Sequence, residues 1–298
     1  GKAEAAADQP ASRKHVLDFL GRRAGGDIEV LGRLAQDQVA HAAADDERLE
    51  TGVLQLADDL DTRNEGEYYD PFFDFADSLF DPLTSRYDAS SVAVFGQYEH
   101  GLGGRTRLSI GLRGERRTTD YVDTDGLRLG PSDSLWGGEL TLGHQHSAAV
   151  SSYVSLSRGY KAGGFNLGLI PVNQREFRDE AMLNLEAGVK AKLLDGRLRV
   201  NASVFASRRQ NQQVRISLQQ VTGDPASFGF LTINAEEGRA NGLEADLQWL
   251  PNESWLVRAS VGMLDTEFIR FDDAPGLEGR EHAHAPDFTL AAGARYSR

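Results

Sequence analysis

With 298 residues, 40% of them hydrophobic and no cysteine, the chain is long enough for one large domain or two ordinary ones and holds neither a disulfide framework nor a thiolate metal site. Its 45 acidic residues against 32 basic ones leave a formal charge of -13, which argues against a polyanionic partner such as DNA or RNA. No run of about 18 apolar residues occurs, so no transmembrane helix is expected, and the opening Gly1-Lys2-Ala3-Glu4 lacks the apolar core of a signal peptide.

Residues 1–47 carry no clear pattern and are left unassigned, with an Ala-rich opening and one candidate strand over Asp27–Leu34. Leu49–Leu60 is the next candidate, with Val53, Gln55 and Ala57 opposing Gly52, Leu54 and Leu56. The acidic stretches Asp58–Asp61 and Glu67–Asp77 read as solvated connections, the second being aromatic enough to touch a ligand instead.

From Ser90 onward the chain becomes a series of long alternating segments. Arg107–Glu115 presents Leu108, Ile110, Leu112 and Gly114 on one face. Leu183–Leu193 sets Leu183, Leu185, Ala187, Val189, Ala191 and Leu193 against Asn184, Glu186, Gly188, Lys190 and Lys192. Arg197–Arg208 sets Leu198, Val200, Ala202, Val204 and Ala206 against Arg197, Arg199, Asn201, Ser203 and Phe205. Asn241–Trp249, Trp255–Asp265 and Phe288–Tyr296 repeat the pattern, and their apolar faces carry no charge. A half-buried soluble sheet also alternates. Strands of about 9–12 residues, however, match a tilted bilayer crossing better than the usual length of about 5–6. Trp249, Trp255, Phe288 and Tyr296 fall near strand ends, where aromatic rings suit the headgroup boundary.

The connections are sorted. His100–Gly104, His144–Ser147, Leu194–Gly196 and Pro251–Ser254 are short; those between them, roughly 118–134, 159–182, 209–240 and 268–286, are long. An up-and-down sheet puts alternate connections at the same end, so tight turns gather at one end and large loops at the other. The expected fold is therefore all-β: a transmembrane up-and-down antiparallel β-barrel over 48–298, in a partial form of about eleven strands.

Ser157-Arg158-Gly159-Tyr160-Lys161-Ala162-Gly163-Gly164-Phe165-Asn166 resembles a segment of the TonB-dependent receptors, the gated outer-membrane transporters. Leu185–Lys190 followed by Leu194–Leu198, then Val204-Phe205 leading into Gln212–Val214, then Asn234-Ala235 before Gly242–Glu244, and Ala285-Pro286 before Tyr296, are similar to later strands of that family, in its order. Val94–Gln97 and Gly111–Arg113 look like two earlier ones, so the resemblance covers about residues 88–298.

The resemblance implies a 22-strand barrel around an N-terminal plug, in the outer membrane of a Gram-negative bacterium. It implies import of a scarce ligand, foremost an iron–siderophore complex, with cobalamin or a sugar also open. The implied partners are outer-membrane lipid, the ligand, and the TonB energy-transducing protein acting through the plug. No plug is identified before residue 88 and the chain stops at Tyr296-Ser297-Arg298, so an internal piece of a longer receptor, unable to transport alone, is expected. A passive porin or adhesin barrel, or an outer-membrane hydrolase, are the other readings.

Tyr160, Lys161, Phe165 and Asn166 are the ligand-contact candidates, because aromatics and a cation suit a planar anionic chelate; anchoring the base of the loop is the other role open to them. Gly159, Gly163 and Gly164 lack the strand-and-helix context of a phosphate cradle and are expected to supply left-handed backbone at a strand end. His282 and His284 are weak metal candidates with Glu278 and Glu281 nearby; a solvated loop is the expected reading. No Ser, His and acid set has the order of a known nucleophile, so neither enzymatic activity nor a cofactor is expected.

Overall fold

The computed structural model describes residues 38–44, 47–64, 67–70, 75–78, 83–166, 170–219 and 228–298. The candidate strand Asp27–Leu34 lies outside them. In chain order the strands are β1 (Gln38–Ala44), β2 (Glu47–Asn64), β3 (Glu67–Asp70), β4 (Phe75–Ser78), β5 (Leu83–Gly101), β6 (Thr106–Asp123), β7 (Arg128–Leu129) and β8 (Ser132–Gln145). They continue with β9 (Val150–Lys161), β10 (Gly164–Phe165), β11 (Glu176–Phe177), β12 (Glu180–Leu193), β13 (Leu198–Gln219), β14 (Phe228–Asn252), β15 (Trp255–Arg270) and β16 (Phe288–Tyr296). Two single 3-10 turns, Val172–Gln174 and Pro275–Leu277, are the helical elements among the described residues.

One sheet holds the long strands in the order β1-β2-β5-β6-β8-β9-β12-β13-β14-β15-β16, with β7 attached to β6. Every pairing is antiparallel, and each long strand lies beside the next one in the chain, so the topology is the expected meander of eleven strands. β3–β4 and β10–β11 form separate two-stranded ribbons. Thus the Glu67–Asp77 stretch, read as an open connection, contains a hairpin, and Asp58–Asp61 lies within β2. Among the described residues β1 and β16 each have one neighbour and do not pair with each other, so the sheet is an unclosed barrel wall. The candidate strand Leu49–Leu60 falls within β2, one strand in from the edge, because β1 pairs along Glu47–Val53.

The apolar faces join into rungs across the sheet. Following the registers, Leu108, Leu142, Val154, Ala187, Val204, Leu243, Met263 and Phe288 are successive partners on eight strands. This face is not packed away: Val94 is 61% exposed, Leu112 62% and Leu290 66%. Neither a second large sheet nor a helix layer covers it among the described residues. Soluble monomers rarely expose so extended an apolar surface, whereas a barrel wall presents it to lipid.

The buried apolar core sits elsewhere, at the end with the long connections. Ile170, Leu231, Ile233, Ala235, Phe268 and Phe271 cluster there, with Val214, Ile216, Ala274 and Leu277 against them. Two of the long connections are shorter than expected. β6 and β8 narrow the 118–134 loop, and β13 and β14, of 22 and 25 residues, take up most of 209–240. Strands this long outrun a bilayer crossing of about 9–11 residues; their outer parts pair with each other and carry Val214, Ile216, Leu231, Ile233 and Ala235 into the buried cluster. At the opposite end the turn after β12 is tight, with Leu194, Asp195 and Gly196 all at positive φ (53°, 54° and 82°), as a hairpin closing on the strand twist demands.

Candidate functional site

On β6 the residues opposite the apolar stripe are Arg113, Glu115, Arg117, Tyr121 and Asp123; in a closed barrel this polar face lines the interior. The connection from β9 to β12 folds back onto its outer part. Phe165 stacks on Tyr121 with ring centroids 4.9 Å apart and meets Tyr87 edge-on at 5.7 Å. Arg175, 1% exposed, reaches the same spot: its guanidinium donates to Tyr121 Oη (2.8 Å), to Asp123 Oδ2 (3.0 Å) and to the Ile170 carbonyl (2.9 Å). Tyr121 Oη in turn donates to Asp123 Oδ2 at 2.9 Å. A buried charge needs such partners, since burial without one is costly; the Arg175 Nε alone is left without a hydrogen bond.

The other side of the connection is fastened to β14. Asn166 Nδ2 donates to the carbonyls of Thr232 and Gln174, both at 2.8 Å, and Oδ1 accepts the Thr232 N–H. Reciprocally, Asn234 on β14 accepts the Arg178 N–H at 2.8 Å and donates to the carbonyls of Arg178 (3.0 Å) and Asn211 (2.7 Å). Glu180, at the start of β12, takes Arg209 (2.7 Å) and the Gln213 N–H (2.9 Å). The connection is therefore a strap running from β6 to β14 across the strands between them.

The four sequence candidates differ in what they touch. Tyr160 Oη accepts from Arg113 Nε (2.8 Å) and donates to Glu115 Oε2 (2.7 Å), while Arg113 and Glu115 pair directly at 2.9 Å. Phe165 is held between Tyr121 and Tyr87, and Asn166 is buried with its carboxamide engaged. Lys161 is exposed and lies opposite Glu180 in the β9–β12 ladder. Arg175, Asp123 and Tyr121 were not singled out in the sequence, and Asn234 entered only through the family-like run Asn234-Ala235, with no role given to it. For Tyr121 and Asp123 a signal existed, since they continue the polar face of Arg113, Glu115 and Arg117; for Arg175 none did.

The glycines serve another purpose than the one expected. Gly159, Gly163 and Gly164 do not have positive φ. A Cβ on Gly163 would come within 2.7 Å of the Phe177 carbonyl oxygen, and one on Gly164 within 2.8 Å of the Phe177 ring; Gly159 faces open space. Close approach of the β10–β11 ribbon, not left-handed backbone, requires the first two.

His282 and His284 do not converge. The His282 ring is half-buried against Phe268, centroids 4.5 Å apart, whereas His284 is exposed with φ 59°. Glu278 accepts the Phe271 N–H, and among the described residues no group of three His, Cys, Asp or Glu side chains is placed to hold a metal. Burial, followed by the positive charge of Arg209, holds the His282 imidazole below its ordinary pKa of 6.5.

The comparisons agree with this geometry. A curated relative, the probable TonB-dependent siderophore receptor PiuA of Acinetobacter baumannii, is 28% identical over 123 residues, which is 41% of this chain and 15% of that protein. Among solved structures, the ferric yersiniabactin uptake receptor FyuA of Yersinia pestis superposes with a TM-score of 0.68 at 17% identity, over 87% of this chain and 39% of its own. The copper transporter OprC superposes with a TM-score of 0.67 at 17% identity, over 88% of this chain and 41% of its own. The chain thus spans well under half the length of these relatives, and at such identity the structural likenesses concern the fold. The family model described as the TonB dependent receptor-like β-barrel matches residues 17–298, and the chain belongs to that family.

Proposed function

We propose that the chain forms wall and outward-facing loops of a receptor in the outer membrane of a Gram-negative bacterium, which imports an iron–siderophore complex with energy delivered through TonB. The observation that carries this reading is the sorting of connections on an unpacked apolar sheet. Tight turns collect at one end, and the folded strap and the one buried apolar cluster among the described residues collect at the other. Such sorting marks an outer-membrane barrel wall; the receptor, rather than a passive porin, is supported by the family match over residues 17–298. The siderophore, rather than another scarce ligand, is supported by the likeness to the probable siderophore receptor PiuA.

Within this reading Lys161 is the residue that meets the ligand, because its cation is exposed where the strap leaves β9. Tyr160, Phe165 and Asn166 contribute to binding by holding the strap's shape. The test is uptake in cells whose receptor carries this chain, supplied in turn with radiolabelled ferric hydroxamate, ferric catecholate, cobalamin and an oligosaccharide. Uptake of an iron chelate that stops on removing TonB is the expected result; uptake of cobalamin or sugar alone, or uptake indifferent to TonB, overturns it.

A further inference from the structure

The apolar face ends differently at its two margins. From the rung between Leu108 and Phe288 toward the tight turns, no Lys or Arg stands on that face of β6, β8, β9 or β12 to β16. Four residues beyond the rung in the other direction, about 13 Å, Arg158, Leu183, Arg208 and Arg239 are successive partners on β9, β12, β13 and β14. Arg239 is neutralised by Glu267 at 2.7 Å. Arg208 has one exposed ion pair, with Glu237 at 3.3 Å, and Arg158 has none among the described residues.

Arg158 and Arg208 stand where a cation needs an anion from outside the chain. Leu183 separates them and is 50% exposed, and Leu185, Leu156 and Leu140 continue the exposed apolar surface beside it. No Asp or Glu occupies the same face of β8, β9 or β12, or of β13 as far as Arg208. The Arg158 guanidinium lies 4.1 Å from the centroid of the Trp136 ring and donates to the Trp136 carbonyl, which holds it on this face. An arginine among lipid-facing leucines is costly in the depth of a bilayer, and that cost falls away at the headgroup boundary, where anions are at hand.

We propose that Arg158 and Arg208 clamp the anionic phosphate of a membrane lipid whose acyl chains lie along Leu183, Leu185 and Leu156. Two strand spacings, about 10 Å, separate the arginines, so their guanidinium forks can converge on one phosphate from either side of Leu183. Trp136 adds the amphipathic ring that suits headgroup depth. A soluble anion or an acidic peptide would use the cations and leave the leucines bare; the continuity of charge with apolar surface selects a lipid. Glu237 yields Arg208 to the phosphate, because an exposed ion pair contributes little. The inference rests on the barrel reading in one respect: this face must meet lipid.

The chain holds three tryptophans, so Trp249→Phe with Trp255→Phe leaves Trp136 as a fluorescent reporter beside Arg158. The full chain is refolded into phosphatidylcholine vesicles doped with either brominated phosphatidic acid or brominated phosphatidylcholine, and quenching is followed against the brominated fraction. Phosphatidic acid should quench at a fraction about fivefold lower or more, since each basic residue at an anionic lipid surface contributes about that factor. Arg158→Gln with Arg208→Gln should abolish the preference and keep the quenching by brominated phosphatidylcholine, which a misfolded variant would lose. Arg105→Gln with Arg295→Gln, at the tight-turn end, should change neither. Equal quenching by the two lipids with both arginines present, or a preference that survives their replacement, overturns the proposal. So does loss of the preference in excess inorganic phosphate at constant ionic strength, which would make the pair a free-anion site. Quenching by neither lipid would mean that Trp136 does not meet a bilayer, and the barrel reading would fall and take the clamp with it.

Discussion

The side chain of Asn166 completes the backbone pairing of Thr232, accepting its N–H at 2.6 Å and donating to its carbonyl at 2.8 Å. Thr232 needs this because β14 has β15 as its neighbour only from Glu237 onward. A carboxamide, with one donor group and one acceptor, substitutes there for a strand residue. Asn166→Ala leaves two groups of Thr232 and the Gln174 carbonyl without a partner, at a cost of about 1–3 kcal/mol per buried group. The expected outcome is faster hydrogen exchange at Thr232 and earlier proteolysis within the strap, with the exchange of β12 and β13 unchanged. Asn166→Asp keeps the acceptor but sets a buried carboxylate oxygen against the Thr232 and Gln174 carbonyls, and should be at least as damaging as Asn166→Ala.

Arg175 and Asp123 form the other anchor. With side chains 2% and 0% exposed, neither can turn to water when its partner is lost. Arg175→Met alone should destabilise the strap by about 3–5 kcal/mol, because it leaves a buried carboxylate uncompensated. Arg175→Met combined with Asp123→Asn should recover most of that loss. The measurement is a double-mutant cycle on thermal unfolding; additive effects would show that the pair does not act as a unit.

How much of this was legible in the sequence follows from the range of each interaction. Alternation on Arg197–Arg208 and Leu183–Leu193 reported faces and register, because a residue's neighbour on a face lies only two positions away. The lengths of β13 and β14 were hidden, since the polar runs Arg208–Gln213 and Glu236–Asn241 interrupt the alternation, although Val214 and Ile216 resume it beyond them. The strap was hidden more deeply. Asn166 meets Thr232 across 66 residues, and Arg175 meets Tyr121 across 54, through contacts that impose no local pattern on either partner. The paired glycines at 163 and 164 announced a backbone constraint but not its kind.

That constraint separates the three glycines of the segment. Gly163→Ala drives a Cβ to within 2.7 Å of a backbone oxygen that cannot rotate away, and Gly164→Ala to within 2.8 Å of a phenyl ring that can shift. Gly159→Ala meets nothing within 4 Å. The expected order of damage to strap protection, followed by limited proteolysis, is Gly163 above Gly164 above Gly159; equal effects would remove close approach as the reason for the pair.

His282 makes the β15–β16 connection sensitive to acid. The ring packs on Phe268, its backbone N–H donates to Thr266 Oγ1 at 3.0 Å, and the ionisable groups acting on it are Arg209, which lowers its pKa, and Glu180, which raises it. The folded value lies below the ordinary 6.5, so between the two values the unfolded connection binds more protons and stability rises with pH. The packing contribution is intact above about 6.5 and declines as the pH falls through that value toward the folded one. Protease protection of 271–287 should therefore drop between pH 7.5 and pH 5, and His282→Phe should flatten the profile. A profile unchanged by that substitution assigns the acid sensitivity to another group.

The apolar face carries the most direct test of what surrounds the sheet. Val204 lies mid-rung between Ala187 and Leu243 and is 50% exposed, while Ser203, its neighbour in the chain, points to the polar face. In lipid, Val204→Lys should cost about 2–4 kcal/mol and block assembly into bilayers, and Ser203→Lys should be tolerated. In water the order reverses in character: a half-exposed valine accepts lysine with little loss, since surface substitutions away from special features stay within about 0.5 kcal/mol. Heat-modifiable migration on gels after refolding into vesicles reads the difference. Equal assembly of both variants would mean that lipid does not cover the rung from Leu108 to Phe288, and the transmembrane wall would have to be abandoned.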